Sequence, residues 1–450
     1  MMKTRIHLRL ILLVMLALLL TTPSLAQDSP SSEVLVVNDA SASSSATAPW
    51  FFSTVDTDPP NDVGQHVSIA FHPVSDRPYI SYYDAYNQNL QMAKYVITGG
   101  NCGPDNTWSC ETVDEAGNVG TYSSIAFDPT DNLPVISYFD ASNGALKLAE
   151  RMANHWGFTI IHDPNLVSGG RYTSLKLDAA GKAHISFYVL NFLGNDHMWY
   201  ARFVGGSAGD CSNPNYECEQ IAYTGEGRGK YTSLALDSND KPRIAFWDES
   251  FNRLGYAWNN GTWTFLYVSD PDGGAAGKFS SLAVDVNNAD RPHIAHYDNI
   301  NGILEYTTYV GTGGNCESLG NPVVGWQCDD IDDMGISTDP KGISIAVDGA
   351  GYPIIAYQSG GAVLKVARPA IAMGLPIGNC GPANPFFTWQ CEVISIGFGI
   401  GQGDYMSLAL NSAGLGTIAY HGSVSGGMGN LRVAYQRFET FLPLVLKNQN

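Results

Sequence analysis

Four aspartates in this sequence directly follow an aromatic residue, each at the end of a short run rich in β-branched and aromatic residues. The four pairs are Tyr83-Asp84, Phe139-Asp140, Trp247-Asp248 and Tyr297-Asp298. An aromatic face stacks on the C–H groups of a sugar, and a carboxylate accepts a hydroxyl hydrogen or holds Ca²⁺. The same residues also fit a structural role, in which the aspartate caps a local bend and the ring packs against the neighbouring sheet. The sequence leaves both interpretations open.

Signatures of catalysis and of metal binding are scarce. No aspartate cluster has the D-x-[DN]-x-[DN]-G spacing of a Ca²⁺-binding loop, so we expect no cofactor and keep Ca²⁺ as the alternative. The segment Gly205–Gly209 matches the G-x-S-x-G pattern, which requires a strand before it and a helix after it. It lies instead in a Gly-rich tip just before Cys211. We therefore identify no catalytic residue.

The runs that carry these residues belong to a unit that occurs seven times. A serine followed by an aliphatic residue recurs at intervals of 48 to 63 residues, which overlap the period of propeller blades once longer loops are allowed. The seven serines are Ser68, Ser124, Ser174, Ser233, Ser281, Ser344 and Ser407. Each copy continues through turns rich in Asp, Asn, Gly and Pro into three more short runs, the last usually opening with Trp. Four such runs predict a four-stranded antiparallel sheet.

The seventh copy lacks its fourth run, and a spare run precedes the first copy. Nothing led by Trp follows 431–437, whereas WFFSTVDTD stands at 50–58. Pairing the two would cover a bare strand edge and join the ends of a ring. The sequence thus predicts an all-β fold, a seven-bladed β-propeller of four-stranded antiparallel blades, closed by an N-terminal strand that completes the last blade.

A propeller gathers the loops between second and third strands on one face, around the mouth of the central channel. We therefore predict that the four aromatic-acid pairs surround this mouth as a ligand site. Three copies depart from the pattern, with Tyr188-Val189, Gln358-Ser359 and His421-Gly422 at the corresponding positions.

Eight cysteines form four close pairs, in copies one, three, five and six. They are Cys102 with Cys110, Cys211 with Cys218, Cys316 with Cys328, and Cys380 with Cys391. We expect each pair to lie in the connection between the third and fourth strands. An even count, local pairing and an export signal indicate disulfides.

The chain ends set the expected compartment. Residues 1–26 read as a signal peptide, with a basic start, an apolar run too short for a bilayer and Ser24-Leu25-Ala26 at the cleavage position. Residues 27–49 read as a flexible Ser- and Ala-rich leader, 50–437 as the propeller, and 438–450 as an apolar tail. With 24 basic and 43 acidic residues, a net charge of −19 disfavours nucleic acid as a partner.

Written as S-[IL]-A-x-D … P-x-I-[AS]-[YF]-x-D … L-x-x-A … W, the repeat resembles the tandem-repeat β-propellers of many secreted bacterial proteins. The likeness covers about residues 50–437. That group is largely of uncharacterised function, so the resemblance implies the fold and no catalytic residue. The tail is similar to Leu- and Pro-rich tails that end some exported bacterial proteins, and it is either a surface-attachment signal or an apolar end that packs on the last blade.

The sequence therefore predicts a secreted, non-enzymatic binding or adhesion propeller that contacts a carbohydrate or protein ligand through its channel-mouth face. The alternatives are a secreted polysaccharide-acting enzyme, either a glycoside hydrolase or a lyase, and a purely structural surface module. We expect no membrane span, and the sequence leaves the oligomeric state open.

Overall fold

The described part of the chain consists almost entirely of β-strands. The computed structural model describes residues 48–57, 62–162, 167–191, 196–221, 227–268, 276–318, 320–335, 342–360, 363–381, 388–395, 402–423 and 429–437. The predicted signal peptide, most of the leader and the tail lie outside these ranges. No helix in the described ranges has the length and apolar character that a bilayer crossing needs.

Thirty strands are present in these ranges, and β1 (Trp50–Asp56) belongs to the last sheet. Blade one comprises β2 (Val63–Phe71), β3 (Pro78–Asp84), β4 (Asn89–Tyr95) and β5 (Trp108–Asp114). Blade two comprises β6 (Val119–Phe127), β7 (Pro134–Asp140), β8 (Ala145–Arg151) and β9 (Trp156–His162). Blade three comprises β10 (Val167–Leu177), β11 (Ala183–Asn191), β12 (His197–Phe203) and β13 (Tyr216–Gln220). Blade four comprises β14 (Arg228–Leu236), β15 (Pro242–Asp248), β16 (Arg253–Asn259) and β17 (Trp263–Val268).

The remaining strands complete three blades and one small hairpin. Blade five comprises β18 (Lys278–Asp285), β19 (Arg291–Asp298), β20 (Ile303–Tyr309) and β23 (Trp326–Asp333), and the hairpin consists of β21 (Glu317–Ser318) and β22 (Asn321–Pro322). Blade six comprises β24 (Ile343–Val347), β25 (Pro353–Ser359), β26 (Val363–Pro369) and β27 (Trp389–Ser395), with a 3₁₀ turn at Ala370–Met373. Blade seven contains β28 (Gln402–Leu410), β29 (Gly416–Ser423) and β30 (Gly429–Gln436).

All seven sheets are four-stranded and antiparallel, and they form a seven-bladed β-propeller, as predicted. Strand β1 pairs with β30 as the outermost strand of blade seven, with Trp50 opposite Gln436. The spare N-terminal run therefore supplies the strand that the seventh copy lacks, which confirms the predicted closure.

The repeat serines link each blade to the next around the ring. Each serine Oγ accepts a hydrogen bond from a backbone N–H of the following innermost strand. The donors and acceptors are Ile125–Ser68, Leu175–Ser124, Leu234–Ser174, Leu282–Ser233, Ile345–Ser281, Leu408–Ser344 and Ile69–Ser407, at 2.9–3.2 Å. The bond between Ile69 and Ser407 joins blade one to blade seven, so the hydrogen-bonded ring is complete.

Apolar cores lie between adjacent blades, where the tryptophans that open the fourth strands pack. Trp263 meets Tyr200 of blade three edge-on at 5.1 Å between ring centroids. Trp389 meets Tyr306 of blade five in the same way at 4.9 Å. Burying these rings between sheets stabilises the stacking of the blades.

Four disulfides are present, between the cysteines that the sequence pairs. The first cysteine of each pair lies in the connection between third and fourth strands, and the second lies in the fourth strand itself. Each bridge closes a loop of 7–12 residues and fastens a hairpin tip to its blade. Disulfides of this number are typical of an oxidising, extracellular compartment.

Candidate functional site

In six blades the innermost strand starts with an irregular stretch that reaches the central channel. In β6 the register against β7 shifts twice, between Val119 and Ser124. Gly120 has φ 111°, and a Cβ there would lie 2.7 Å from the Cα of Leu90 in the preceding blade. Only glycine fits this approach. The bulges leave Tyr122 at φ 56°, out of the strand alternation and lining the channel.

Six blades place an aromatic residue at this position, two places before the repeat serine. They form what we name the aromatic collar: His66, Tyr122, Tyr172, Tyr231, Phe279 and Tyr405. Neighbouring ring centroids lie 4.4–4.7 Å apart, and the ring planes are inclined by 48–56°. Blade six has Gly342 at this position, which leaves a gap in the collar between Phe279 and Tyr405.

The collar borders a cavity of about 480 Å³ on the propeller axis. The other lining residues directly follow the collar positions and are small hydroxyl or apolar residues: Val67, Ser123, Thr173, Thr232, Ser280, Ile343 and Met406. No aspartate or glutamate is among the described residues that line it. Nor do the described residues contain a group of three or more His, Cys, Asp or Glu side chains placed to hold a metal ion. The cavity thus offers aromatic surface and hydroxyl groups.

Two collar residues have pKa values shifted toward their neutral forms. Burial raises the pKa of Tyr172, and the neighbouring hydroxyls of Tyr122 and Tyr231, which hydrogen-bond to it, raise it further. Burial also lowers the pKa of His66 to about 3, with His421 as the second cause. Neutral rings of this kind suit contacts with C–H and hydroxyl groups.

The four predicted aspartates are buried, with 0–2 % of their surface exposed. In each, Oδ1 accepts a hydrogen bond from a backbone N–H of the bend that follows. The pairs are Asp84 with Tyr86, Asp140 with Asn143, Asp248 with Phe251, and Asp298 with Ile300, at 2.7–3.1 Å. The carboxylates therefore hold the loops of the mouth face, which is the capping role that the sequence offered as one alternative. Their contact with a ligand stays a prediction.

The aromatic partners of these aspartates lie beside the collar. Ring centroids of Tyr83, Phe139 and Trp247 are 6.0–6.4 Å from those of His66, Tyr122 and Tyr231, respectively. The fourth partner, Tyr297, donates from its hydroxyl to the backbone oxygen of Gly335 at 3.0 Å. All four rings are at most 7 % exposed, and Tyr83, Phe139 and Trp247 back the collar. The structure thus brings the predicted aromatics to the channel mouth and directs the acids into their bends.

Sequence reasoning missed a group of basic residues at the same mouth. We name Arg171, Lys230 and Lys278 the basic arc. Each directly precedes a collar residue in blades three, four and five and lies over an aromatic ring of the preceding blade. The distances from cation to ring centroid are 5.4 Å for Arg171 and Phe139, 6.0 Å for Lys230 and Tyr188, and 5.6 Å for Lys278 and Trp247.

One sequence signal would have located both groups. A glycine stands two places before each aromatic collar residue, as in Gly120-Thr121-Tyr122 and Gly229-Lys230-Tyr231. A glycine that recurs at one place in a β-repeat marks a bulge or a close backbone approach. The residues just after it are the ones that leave the regular alternation.

No protein-family model and no curated protein matches this chain. Among solved structures, a variant of the Aleuria aurantia lectin in complex with α-methyl-L-fucoside is similar at 12 % identity and a TM-score of 0.44, over 76 % of this chain and 100 % of that one. A Dyadobacter fermentans protein of unknown function is similar at 9 % identity and a TM-score of 0.45, over 86 % and 98 %. An α-L-arabinofuranosidase variant from Fusarium graminearum, in complex with an iminosugar inhibitor, is similar at 10 % identity and a TM-score of 0.46, also over 86 % and 98 %. At these values the similarities carry no argument about function.

Proposed function

We propose that this protein is an extracellular, non-enzymatic binding propeller whose channel mouth receives a carbohydrate. The observation that carries the proposal is the aromatic collar around a cavity of about 480 Å³. Ligand sites are typically concave, mostly apolar and furnished with a few polar groups, and this cavity has that character. Its rings supply faces for sugar C–H groups, and its hydroxyl residues supply hydrogen-bonding partners.

The loops around the mouth support this proposal because they present exposed apolar side chains. Tyr86, Phe251 and Ile300 are 64 %, 52 % and 56 % exposed. Each belongs to a bend whose backbone N–H is held by an aspartate of the predicted site. In this proposal the aspartates keep the rim in shape, and the rim and collar make the ligand contacts.

The enzyme alternative has less support at this cavity. Glycoside hydrolysis normally uses two carboxyl groups that flank the scissile bond. The described lining of the axial cavity contains neither aspartate nor glutamate. Binding without turnover is the function that this chemistry supports best.

The extracellular location in this proposal rests on the four disulfides and on the signal peptide predicted at 1–26. We also propose, from the seven-fold motif, that the chain belongs with the secreted bacterial tandem-repeat propellers. Attachment to the cell surface through 438–450 remains a further proposal.

A glycan array tests the proposal with two double variants. Tyr172→Ala/Tyr231→Ala removes two adjacent collar rings, and Phe158→Ala/Phe265→Ala removes two rings that are 49 % and 41 % exposed on outermost strands. We expect the collar variant to lose binding about tenfold or more, since an aromatic contact contributes about 0.5–1.5 kcal/mol. The control variant should bind as the wild type does. Equal losses in both variants, or no glycan bound by the wild type, would overturn the proposal.

A further inference from the structure

The channel mouth carries a cationic group on a chain that is acidic as a whole. The sequence has 24 basic and 43 acidic residues, yet three consecutive blades carry a basic residue at the same repeat position. These are Arg171, Lys230 and Lys278, the basic arc. Blade six has Lys341 at this position, outside the described residues, whereas blades one, two and seven have Gln65, Thr121 and Asp404.

Each member of the basic arc is half-buried beside an aromatic ring. A cation over a ring face is held in place while part of it stays accessible to solvent. The Nε atom of Arg171 is buried and has no hydrogen-bond partner among the described residues. The arc therefore repeats one arrangement across three blade junctions: a positive charge on a flat aromatic surface, next to a collar ring.

We propose that the basic arc makes the channel mouth selective for anionic saccharides, those with a carboxylate or sulfate group on a sugar ring. This inference rests on the proposed carbohydrate function. A sugar ring would lie on the collar, and its anionic group would contact the basic side chain that lies over the adjacent aromatic ring. The guanidinium of Arg171 offers paired N–H donors that match the two oxygens of a carboxylate, and the lysines act as point charges.

A saccharide fits these observations better than an acidic peptide does. The mouth joins its cations to six adjacent aromatic or imidazole faces, open only at Gly342, with small hydroxyl and apolar residues behind them. That combination matches a ligand whose apolar C–H faces, hydroxyls and anionic groups alternate at short range. An acidic peptide would pair with the three basic residues, but it has fewer C–H faces to stack on the collar rings.

One acidic residue at the mouth works against the arc. Glu249 forms an ion pair with Lys230 and is 46 % exposed at its side chain. A bound anion would have to share Lys230 with this carboxylate. Glu249→Gln should therefore strengthen the binding of an anionic saccharide and leave the binding of a neutral one unchanged.

The test measures binding by titration calorimetry with three oligosaccharide probes. Oligogalacturonate carries carboxylates, its methyl ester of equal length is neutral, and a sulfated galactan oligosaccharide carries sulfates. We expect the wild type to bind at least one anionic probe about tenfold more tightly than the ester, with a preference that weakens as salt is raised. The preferred probe identifies the anionic group.

Two triple variants with the same change in net charge complete the test. Arg171→Gln/Lys230→Gln/Lys278→Gln removes the arc, and Arg77→Gln/Lys182→Gln/Lys241→Gln removes three bases from turns on the opposite face. The arc variant should lose the anionic preference and still bind the ester, while the control keeps the preference.

The outcomes separate this inference from the proposed function. A wild type that binds the ester but binds neither anionic probe more tightly overturns the inference and leaves the proposed function standing. A wild type that binds none of the three probes, and no glycan on the array, overturns both. Loss of the preference in both triple variants would show that general charge, and not the arc, sets it. Tighter binding of an oligoglutamate peptide than of any saccharide would overturn the choice of ligand.

Discussion

The two halves of the channel mouth share one backbone and differ in charge. At the junctions of blades two to five, which we call the basic half, Arg171, Lys230 and Lys278 lie over aromatic rings. At the junctions of blades seven to two, the neutral half, the same position holds Gln65 and Thr121. Both halves keep the glycine, a shift in register between that glycine and the repeat serine, and the collar residue at positive φ.

The neutral half also replaces two aromatic residues by histidine. His66 takes the collar position in blade one, and His421 stands at the end of the second strand in blade seven. His421 Nε2 lies 2.7 Å from Asp62 Oδ1, and the same carboxylate accepts the side-chain amide of Gln65. Here the polar groups satisfy one another, whereas the basic half holds its charges on ring faces. The repeat thus fixes the shape of the mouth and leaves one position per blade free to set its charge.

The most destabilising substitutions test whether the two halves share one scaffold. Gly120→Ala in the neutral half and Gly277→Ala in the basic half would place a Cβ 2.7 and 2.6 Å from the Cα atoms of Leu90 and Leu254. Each should lower the free energy of unfolding by about 2–4 kcal/mol, measured by chemical denaturation. The control Gly206→Ala, at φ 62° with nothing within 4 Å of the new Cβ, should cost only about 1 kcal/mol. A clear loss at one glycine and none at the other would show that the halves are built differently.

A smaller effect concerns the pH dependence of the neutral half. Burial lowers the pKa of His66 from 6.5 to about 3, so the unfolded chain binds this proton first as the pH falls. Stability from this group is therefore full above about pH 6.5 and decreases as the pH falls toward about 3. His66→Tyr, which restores the commonest collar residue, should reduce the fall in melting temperature between pH 7 and pH 4. Tyr172→Phe is the matched control and should leave the pH dependence unchanged; identical slopes for wild type and His66→Tyr would contradict the expectation.

The smallest effect tests whether charge can be moved between the halves. Thr121→Lys places a base at the arc position of blade two. It should raise the preference for an anionic over a neutral saccharide by about two- to fivefold, the range of a solvent-exposed ion pair. Thr264→Lys, on the outermost strand of blade four, adds the same charge away from the mouth. An equal gain in both variants would mean that the position at the mouth has no special role.

Much of the propeller fold was predictable because its sequence motifs are local and repeat seven times. The extra run that begins at Trp50 pairs with β30, as expected, because the sequence has one run too many before the first copy and one too few in the seventh. The cysteine pairs were predictable from their short separations.

The collar was not predicted, and the reason is the strand period of two. In a regular strand Tyr122 would share a face with Ser124, which lies between blades. The bulges on either side of Thr121 break that alternation and turn Tyr122 to the channel. The basic arc was not predicted for the same reason. In a regular strand, Arg171 and Lys230 would be ordinary solvent-facing residues. For the aspartates, sequence alone gave no way to choose between a free carboxylate and one already bonded to its bend, and their part in a ligand site stays a prediction.

The hydrogen bonds that the repeat serines make between blades bear on where the chain could begin and end. The bond from Ile69 N–H to Ser407 Oγ, at 3.2 Å, differs little from the six bonds between blades that are continuous in sequence. The junction of blades seven and one is therefore held by the same kind of bond as every other junction, while the chain ends meet within blade seven, where β1 pairs with β30. Circular permutants that join the present ends and open the chain between another pair of blades should retain all seven bonds, which makes each loop between blades an equivalent place to begin the polypeptide.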